Sequence, residues 1–462
     1  MKKLRLQTLT LLLLSLPGIN ASGTGTRTLT LDECHRLAEQ NNKALRMADM
    51  NIEAARYNRK SAFTAYLPKI SATGLYMHTG RELSLLSDDQ KTTLSGIGDA
   101  LSMPALNSVG QGLVDALRTD TRNVAAGAVM LTQPIYTGGK IKAYNNITRL
   151  AEDIAADRRD ISRQDLVVDV DDTYWKIVEL TSRREVAAGY LDLVNTLDGD
   201  ISQMIDAGLA TKADGLSVKV KVNEAHVTMI QIDNGIDLLK MRLCQLCGLE
   251  PDTSVTLADE ADATPAAADA DGMDPGRAAG DLRPELSALG TAARIREEQV
   301  KIARAGFLPS VALTGGYFAS YPSVFNSFEK KFKGTWNIGV AVNIPVVTWG
   351  DRSYKVRAAR AEATVARLEL EETREKIDLQ IAQCRQKVRE AHERLAASES
   401  SQAEAEENLR YATLGLKEGV IPVSNVLEAQ TAWMSARTGL ISANIDLRLA
   451  RVHLRRATGT LR

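Results

Sequence analysis

The sequence predicts a mainly α-helical protein that also has a smaller set of membrane-spanning β-strands. Proline is absent from residues 135–250 and again from residues 346–421, and an interior proline destabilises a helix by about 3 kcal/mol. Between Trp336 and Ile344, apolar residues alternate with small or polar ones, which is the period of a β-strand. Both patterns occur in each half of the chain, so the fold is predicted to be a duplicated unit.

The duplication is visible as constant offsets between matching residues. Tyr66 and Phe307 are 241 positions apart, whereas Gly208 and Gly419 are 211 positions apart. The offset changes because the first copy has a longer connection at residues 81–122, which we expect to fold as short helices outside the cell. Each repeat has the order helix, strand, strand, long helix, helix. The predicted segments are a first structural repeat at 23–249, a linker at 250–281 and a second structural repeat at 282–462.

The long helix of the first repeat is expected from about residue 140 to residue 206. Its length would be on the order of 100 Å at 1.5 Å per residue, which is more than a globular domain needs but suits a duct across a wide gap. Apolar residues recur every three or four positions, as on one face of a helix. These residues are Leu166, Val167, Val170, Tyr174, Ile177 and Val178.

Strands are expected at about residues 70–80, 123–133, 310–320 and 335–345, with the length that crosses a bilayer when tilted. Beyond the N-terminal segment no apolar run reaches about 18 residues, so a membrane-spanning region must be built from strands. Four strands cannot close a barrel, so two copies would give eight strands and three would give twelve. Aromatic residues at the strand–helix junctions predict an interfacial belt that contacts outer-membrane lipid. They are Tyr66, Tyr136, Phe307 and Trp349.

The N-terminus has the pattern of an export signal. Lys2, Lys3 and Arg5 precede an apolar run at residues 9–14, and small residues follow at 21–23. This order predicts a cleaved signal peptide over residues 1–22. The chain has 57 basic and 58 acidic residues, a net charge of −1, so no overall positive field points to a nucleic-acid partner.

With these features in place, the chain resembles the TolC-type outer-membrane efflux protein family. The resemblance rests on Leu29-Thr30-Leu31-Asp32-Glu33, on Asn41-Asn42, on Tyr66-Leu67-Pro68 and on Gln133-Pro134-Ile135-Tyr136-Thr137-Gly138-Gly139. It implies a trimer whose twelve-stranded β-barrel lies in the outer membrane and continues through the periplasm as an α-helical barrel. It also implies a belt strand near the linker, for which residues 253–257 are the candidate.

The resemblance further implies the function and the partners. Family members form the exit duct of a tripartite efflux system for small toxic compounds or drugs, with a periplasmic adaptor protein and an inner-membrane transporter of RND or ABC type. Type I protein secretion is an alternative within this class. A soluble periplasmic coiled-coil scaffold or adaptor is an alternative of another class, but a soluble scaffold has no need for apolar strands of bilayer length.

Two helix breaks are the predicted partner surface. Gly208 and Leu209 lie at the first break, and Gly419 and Val420 lie at the second; the resemblance implies that such turns contact the adaptor. Thr211 or Ser424 is expected to cap the following helix, and Pro422 suits its first turn. The resemblance also implies a periplasmic constriction just beyond these turns, formed by Asp214, Asn425 and Glu428.

Nothing in the sequence predicts catalysis, a cofactor or a metal site. Cys244 and Cys247 form a C-x-x-C pair near the end of a predicted helix, but no second Cys or His pair completes a four-ligand zinc site. Cys34 and Cys384 are isolated in the sequence. We therefore expect a protein that is not an enzyme and whose thiols are buried or inert.

Overall fold

The structure, a computed structural model, describes residues 27–80, 83–84, 86–119, 122–260, 282–324 and 331–461. The predicted signal peptide and most of the predicted linker lie outside the described residues. The chain divides into two compact units, and each unit draws on both repeats. The first unit contains Met1–Lys43, Asp165–Met273 and Cys384–Arg456, and the second contains Ala44–Gln164, Asp274–Gln383 and Ala457–Arg462.

The helices of the two halves match in length. The long helices α6 (Lys140–Asp206) and α9 (Asp351–Lys417) have 67 residues each. The helices that follow them, α7 (Lys212–Cys247) and α10 (Val423–Ala457), have 36 and 35 residues. The predicted bounds 140–206 of the first long helix are confirmed, and all six apolar residues predicted to share one of its faces are buried. The described helices are α1 (Leu31–Asn41), α2 (Lys43–Phe63), α3 (Asp88–Ser95), α4 (Ile97–Ala100), α5 (Ala105–Ala116), α6 (Lys140–Asp206), α7 (Lys212–Cys247), α8 (Pro284–Ala305), α9 (Asp351–Lys417) and α10 (Val423–Ala457).

Four long strands form one antiparallel sheet, which confirms the four strands per chain. Their order in the sheet is β2 (Lys69–His78), β5 (Asn123–Tyr136), β7 (Ser310–Tyr321) and β8 (Lys333–Asn343). Strands β2 and β8 are the edges of this sheet, so each has one side without a strand partner among the residues that the structure describes. The described strands are β1 (Arg27–Leu29), β2 (Lys69–His78), β3 (Leu83–Ser84), β4 (Arg118–Thr119), β5 (Asn123–Tyr136), β6 (Val255–Leu257), β7 (Ser310–Tyr321) and β8 (Lys333–Asn343).

The register of the sheet places most of the large apolar side chains on one face. Directly paired residues point to the same side of a sheet, and the pairs Ile70–Leu131 and Tyr317–Trp336 belong to this apolar face. Its polar residues, His78, Asn123 and Gln133, lie at or near strand ends. The opposite face holds most of the polar side chains. The apolar face contains Ile70, Tyr76, Val129, Leu131, Leu313, Tyr317, Trp336, Ile338, Val340 and Val342.

Two smaller expectations are also met. The candidate belt strand is found as β6, which pairs in parallel with β1, and the inserted connection contains the short helices α3, α4 and α5. Among the helices that the structure describes, none combines the length and the hydropathy of a membrane span.

Candidate functional site

The two predicted helix breaks have the same backbone structure. We call residues 207–211 and 418–422 the tip turns. In the first, Gly208 donates its N–H to the carbonyl of Ile205 (3.0 Å) and Leu209 donates to Met204 (2.8 Å). In the second, Gly419 donates to Leu416 (3.0 Å) and Val420 to Gly415 (2.8 Å). Each turn is therefore a Schellman motif, which satisfies the last carbonyls of a long helix.

Glycine is required at both positions because the backbone is left-handed there. The φ angle is +72° at Gly208 and +70° at Gly419, a region that costs other residues roughly 1–2 kcal/mol. No neighbouring atom lies within 4 Å of the Cβ that either glycine lacks. Conformation, and not lack of space, selects glycine at the tip turns.

A shared hydrophobic core holds the two tip turns together within the first compact unit. It draws residues from the ends of α6 and α9 and from the starts of α7 and α10, so both turns are fixed on one platform. Its fully or nearly fully buried members include Ile201, Val218 and Val426. Fully burying such a side chain contributes about 1.5–3 kcal/mol.

The residue after each glycine is apolar and exposed. Leu209 and Val420 expose 75% and 77% of their surface, although an apolar residue at this position of a Schellman motif usually packs back on its own helix. Each tip turn therefore exposes one large apolar side chain beside the shared hydrophobic core.

The helices that follow the tip turns begin differently. Thr211 is confirmed as the cap of α7: its Oγ1 accepts the N–H of Asp214 (3.2 Å), and the Asp214 carboxylate accepts the Thr211 N–H (3.0 Å) and hydroxyl (2.6 Å). These hydrogen bonds from Thr211 lower the pKa of Asp214 below its ordinary value. The expectation for Ser424 is wrong, because α10 begins at Val423 and Ser424 lies inside its first turn. Pro422 directly precedes that helix.

The residues predicted for the constriction lie near the starts of α7 and α10. Asn425 and Glu428 are three positions apart and both exposed, so they share a face of α10. Among the described residues Glu428 has no hydrogen-bond or ion-pair partner. Asp214, by contrast, is occupied by its capping bonds.

The four predicted interfacial aromatics lie at the junctions of strands and helices. Tyr66 ends a short 3-10 helix three residues before β2, and Tyr136 ends β5. A β-bulge between Pro134 and Tyr136 pairs Tyr136 with Val311, which brings the tyrosine onto the apolar face of the sheet. Phe307 is half exposed and Trp349 is 94% exposed, so neither is a core residue of the single chain.

Comparison with known proteins agrees with this architecture. The sequence profile described as outer membrane efflux protein matches residues 35–249 and 277–460. The chain belongs to the outer membrane efflux protein family. The predicted class of protein and its outer-membrane location are thereby confirmed.

Relatives and solved structures support the same assignment for this efflux protein. Outer membrane efflux protein BepC of Brucella suis is 23% identical over 354 residues, 74% of this chain and 74% of BepC. Protein CyaE of Bordetella pertussis is 24% identical over 337 residues, 72% of this chain and 70% of CyaE. The crystal structure of outer membrane protein VceC of Vibrio cholerae has a TM-score of 0.72 at 18% identity, covering 93% of this chain and 96% of VceC. That likeness shows the fold.

Sequence reasoning missed a thiol cluster in the efflux protein. Cys34 is not isolated: the Cys247 Sγ donates a hydrogen bond to the Cys34 carbonyl oxygen at 3.6 Å. The neighbouring Cys247 thiol and burial raise the pKa of Cys34. Cys244 is buried nearby, so burial is confirmed for three of the four thiols, whereas Cys384 is only partly buried. Because Cys34 lies on α1 and Cys247 on α7, no local spacing in the sequence predicts that the two residues meet.

A buried ionic network was also missed. Glu179 is almost fully buried and contacts Lys176 (2.9 Å), Arg183 (2.6 Å) and the hydroxyl of Ser442 (3.0 Å). The spacing of the three charged residues on α6 was visible in the sequence. The burial of Glu179 against α10 was not visible, because it depends on the packing of the two helices.

Proposed function

We propose that the chain is one protomer of a trimeric exit duct, the outer-membrane component of a tripartite efflux system. In this proposal it is a passive channel for small toxic compounds or drugs and not an enzyme. It receives its cargo from a periplasmic adaptor and an inner-membrane transporter. The observation that carries the proposal is the four-stranded sheet, which has one apolar face and two unpaired edges.

The unpaired edges argue for assembly. In lipid, every backbone N–H and C=O of a strand must be paired, so an open sheet edge is not viable there. All side chains of β2 and β8 are exposed in the single chain. Pairing β2 of one copy with β8 of the next would close the sheet, with its apolar face toward lipid. Three copies would give a barrel of twelve strands.

The helices offer a second surface for neighbouring copies. Exposed apolar side chains recur along α7 at spacings of three, four, seven and eight residues, so they form a continuous stripe on one face. A helix in water gains from covering such a stripe, and a second copy of this chain is the occupant that the trimer supplies. The stripe consists of Leu216, Val220, Val227, Ile230, Leu238 and Met241.

The tip turns and the charges beside them have separate roles in this proposal. Leu209 and Val420 contact the adaptor, because they are apolar, exposed and held on a rigid platform. Glu428, with Asn425 on the same helix face, lines the periplasmic constriction, and three copies of its carboxylate favour cations at the mouth. Asp214 lies in the same region but its carboxylate is held by Thr211.

The first experiment is the mass of the mature protein extracted from outer membranes into detergent, measured by light scattering with the detergent contribution subtracted. We expect three protomers per particle, and single-channel conductance when the particle is added to a planar bilayer. A monomer that stays soluble in the periplasm without detergent would refute the duct and support the scaffold alternative. A trimer without conductance would retain the assembly and refute the open channel.

A further inference from the structure

A cleft of about 660 Å³ lies between α2 and the first turns of α6, in the second compact unit. Its walls contain four cationic side chains and a single carboxylate: Arg56, Arg59, Lys60, Arg149 and Glu152. A cleft of this size and charge is suited to a group that brings negative charge of its own.

The cations are only partly neutralised inside the protein. Arg59 contacts Glu152 at 3.1 Å and Arg56 contacts it at 3.6 Å, so two guanidinium groups share one carboxylate. Lys60 lies over the ring of Tyr57, at 5.3 Å from its centroid. Among the described residues, Arg149 has no hydrogen-bond or ion-pair partner. The cleft therefore keeps an excess of positive charge that no residue in the described part of the chain offsets.

One end of the cleft is aromatic and lies beside the start of a membrane strand. Phe63 and Tyr66 line it, with their ring centroids 5.7 Å apart, and β2 begins at Lys69. Aromatic rings next to basic side chains, directly before a membrane-crossing element, are typical of the headgroup level of a bilayer.

The positive charge extends to all four helix ends that adjoin the sheet. These helix ends contain twelve Lys and Arg residues and one acidic residue, Asp351, within residues 56–63, 140–150, 301–308 and 351–360. The whole chain, by contrast, has a net charge of −1. The first turn of α6 contains Lys140 and Lys142 and no acidic residue. Cations at a helix N-terminus oppose the helix dipole, so helix stability does not account for them, whereas an external anion does.

We propose that this cleft binds the phosphate group of an anionic phospholipid from the periplasmic leaflet of the outer membrane. Arg59, Lys60 and Arg149 contact the phosphate, while Glu152 holds Arg56 and Arg59 in place. Phe63 and Tyr66 contact the part of the acyl chain nearest the headgroup. The inference rests on the proposed function only in placing the sheet in the outer membrane. The bound lipid fixes the depth of the duct in the bilayer.

The test is a lipid titration of the mature, detergent-extracted protein, followed by native mass spectrometry. Phosphatidylglycerol is compared with phosphatidylcholine of the same acyl chains, and glycerol 3-phosphate serves as a soluble phosphate. We expect roughly tenfold tighter binding of phosphatidylglycerol and no displacement by an equal concentration of glycerol 3-phosphate. The triple variant Arg59→Gln, Lys60→Gln, Arg149→Gln should lose most of this preference.

The matched control removes three exposed cations far from the cleft in sequence: Lys219→Gln, Lys387→Gln and Arg389→Gln. It should keep the preference, and both triple variants should keep the wild-type particle mass. Equal binding of the two lipids by the wild type, or an unchanged preference in the cleft variant, would overturn the proposal. Displacement by glycerol 3-phosphate would instead assign the cleft to a soluble anion.

Channel conductance separates this inference from the proposed function. Wild-type protein that conducts but shows no lipid preference refutes only the lipid site. Wild-type protein that prefers phosphatidylglycerol but does not conduct supports the lipid site and refutes the open duct.

Discussion

The two tip turns share a backbone but differ in how the next helix begins. Thr211 of the first repeat corresponds, at the offset of 211, to Pro422 of the second, and Asp214 corresponds to Asn425. In the first repeat the Asp214 carboxylate completes a capping box. In the second, proline precedes the helix with a preset φ angle and no N–H to satisfy, so no carboxylate is needed at 425.

This difference decides which of the two acidic groups is free to act on the proposed constriction. Asp214 is held beside the N-terminus of α7, where the partial positive charge of the helix offsets its own. Glu428 lies one turn further along α10, where its counterpart in the first repeat is Ser217. The first repeat thus uses its acid for structure, and the second presents an unpaired acid on an exposed helix face.

The largest expected effect concerns the exposed apolar residue that the two tip turns share. Changing both Leu209→Asp and Val420→Asp should reduce the drug resistance of cells that contain the cognate pump to the level of a strain without this protein. The reason is that two charges would replace the apolar surface proposed to contact the adaptor. Resistance is measured as the minimal inhibitory concentration of a pump substrate, with the outer-membrane level of the protein measured in parallel.

The control for that variant is Leu101→Asp, which introduces the same charge at an exposed apolar residue of the inserted connection. It should leave resistance unchanged. Because the two turns are equivalent, each single tip variant should lower resistance to a similar extent. Full resistance in the double variant, at a normal protein level, would rule out the tip turns as the adaptor surface.

The next effect concerns the acidic residues beside the tip turns, which differ between the two repeats. Glu428→Gln should lower the ratio of cation to anion permeability about threefold or more, because it removes unpaired charges from a narrow mouth. Asp214→Asn should change that ratio by a smaller factor, since the helix N-terminus already offsets the Asp214 charge. The measurement is the reversal potential of the trimer in a planar bilayer under a salt gradient. A larger effect of Asp214→Asn would reverse the assignment of the two acids.

Local sequence features, such as glycines, the absence of proline and the alternation of apolar residues, predict the structure well. The bounds of α6 follow from the glycines at 138, 139 and 208 and from the absence of proline between them. The strands follow from their alternation, and the tip turns from their glycines. The sequence did not distinguish Thr211 from Ser424 as a cap, since each follows a helix break by a few residues. Pro422 decides the matter by occupying the position before α10.

Features that depend on packing between distant segments could not be predicted from the sequence. Cys34 and Cys247 are 213 residues apart, and Glu179 and Ser442 are 263 apart. No periodicity within one element indicates which face of another element it will meet. The proposed constriction is harder still to predict, because in a trimer it would be formed by side chains from neighbouring copies of the chain.

The glycines of the tip turns give the third prediction. Gly208→Ala and Gly419→Ala should each destabilise its turn by roughly 1–2 kcal/mol, because alanine is strained at positive φ. Native-state hydrogen exchange measures this locally: the amides of Leu209 and Val420, which are bonded in the turns, should exchange about five- to thirtyfold faster. Equal effects in the two turns would support the conclusion that their backbone conformations are equivalent.

The controls are two glycines inside helices, Gly199 on α6 and Gly439 on α10. Neither has a left-handed φ angle, and neither has an atom within 4 Å of the missing Cβ. Alanine there should be neutral or stabilise by up to about 1 kcal/mol, as helix propensity predicts. If alanine destabilised these sites as much as the tip turns, positive φ would not be the cause.

The smallest effect separates the two helix starts. Thr211→Ala should destabilise the start of α7 by about 1 kcal/mol, whereas Pro422→Ala should change the start of α10 by only a few tenths. Because the pKa of Asp214 is lowered in the folded chain, its capping bonds contribute stability above the unfolded pKa of about 3.9. That contribution is lost as the pH falls through the folded pKa.

The pH dependence therefore distinguishes a capping carboxylate from a bystander. The difference in exchange protection between wild type and Thr211→Ala should be full at pH 7 and smaller below about pH 4. In an Asp214→Asn background the ionising group is absent, so the difference should no longer shrink on acidification. A difference that stayed constant with pH in the wild-type background would mean that the Asp214 carboxylate does not stabilise the turn. The contrast between the two repeats would then rest on Thr211 alone.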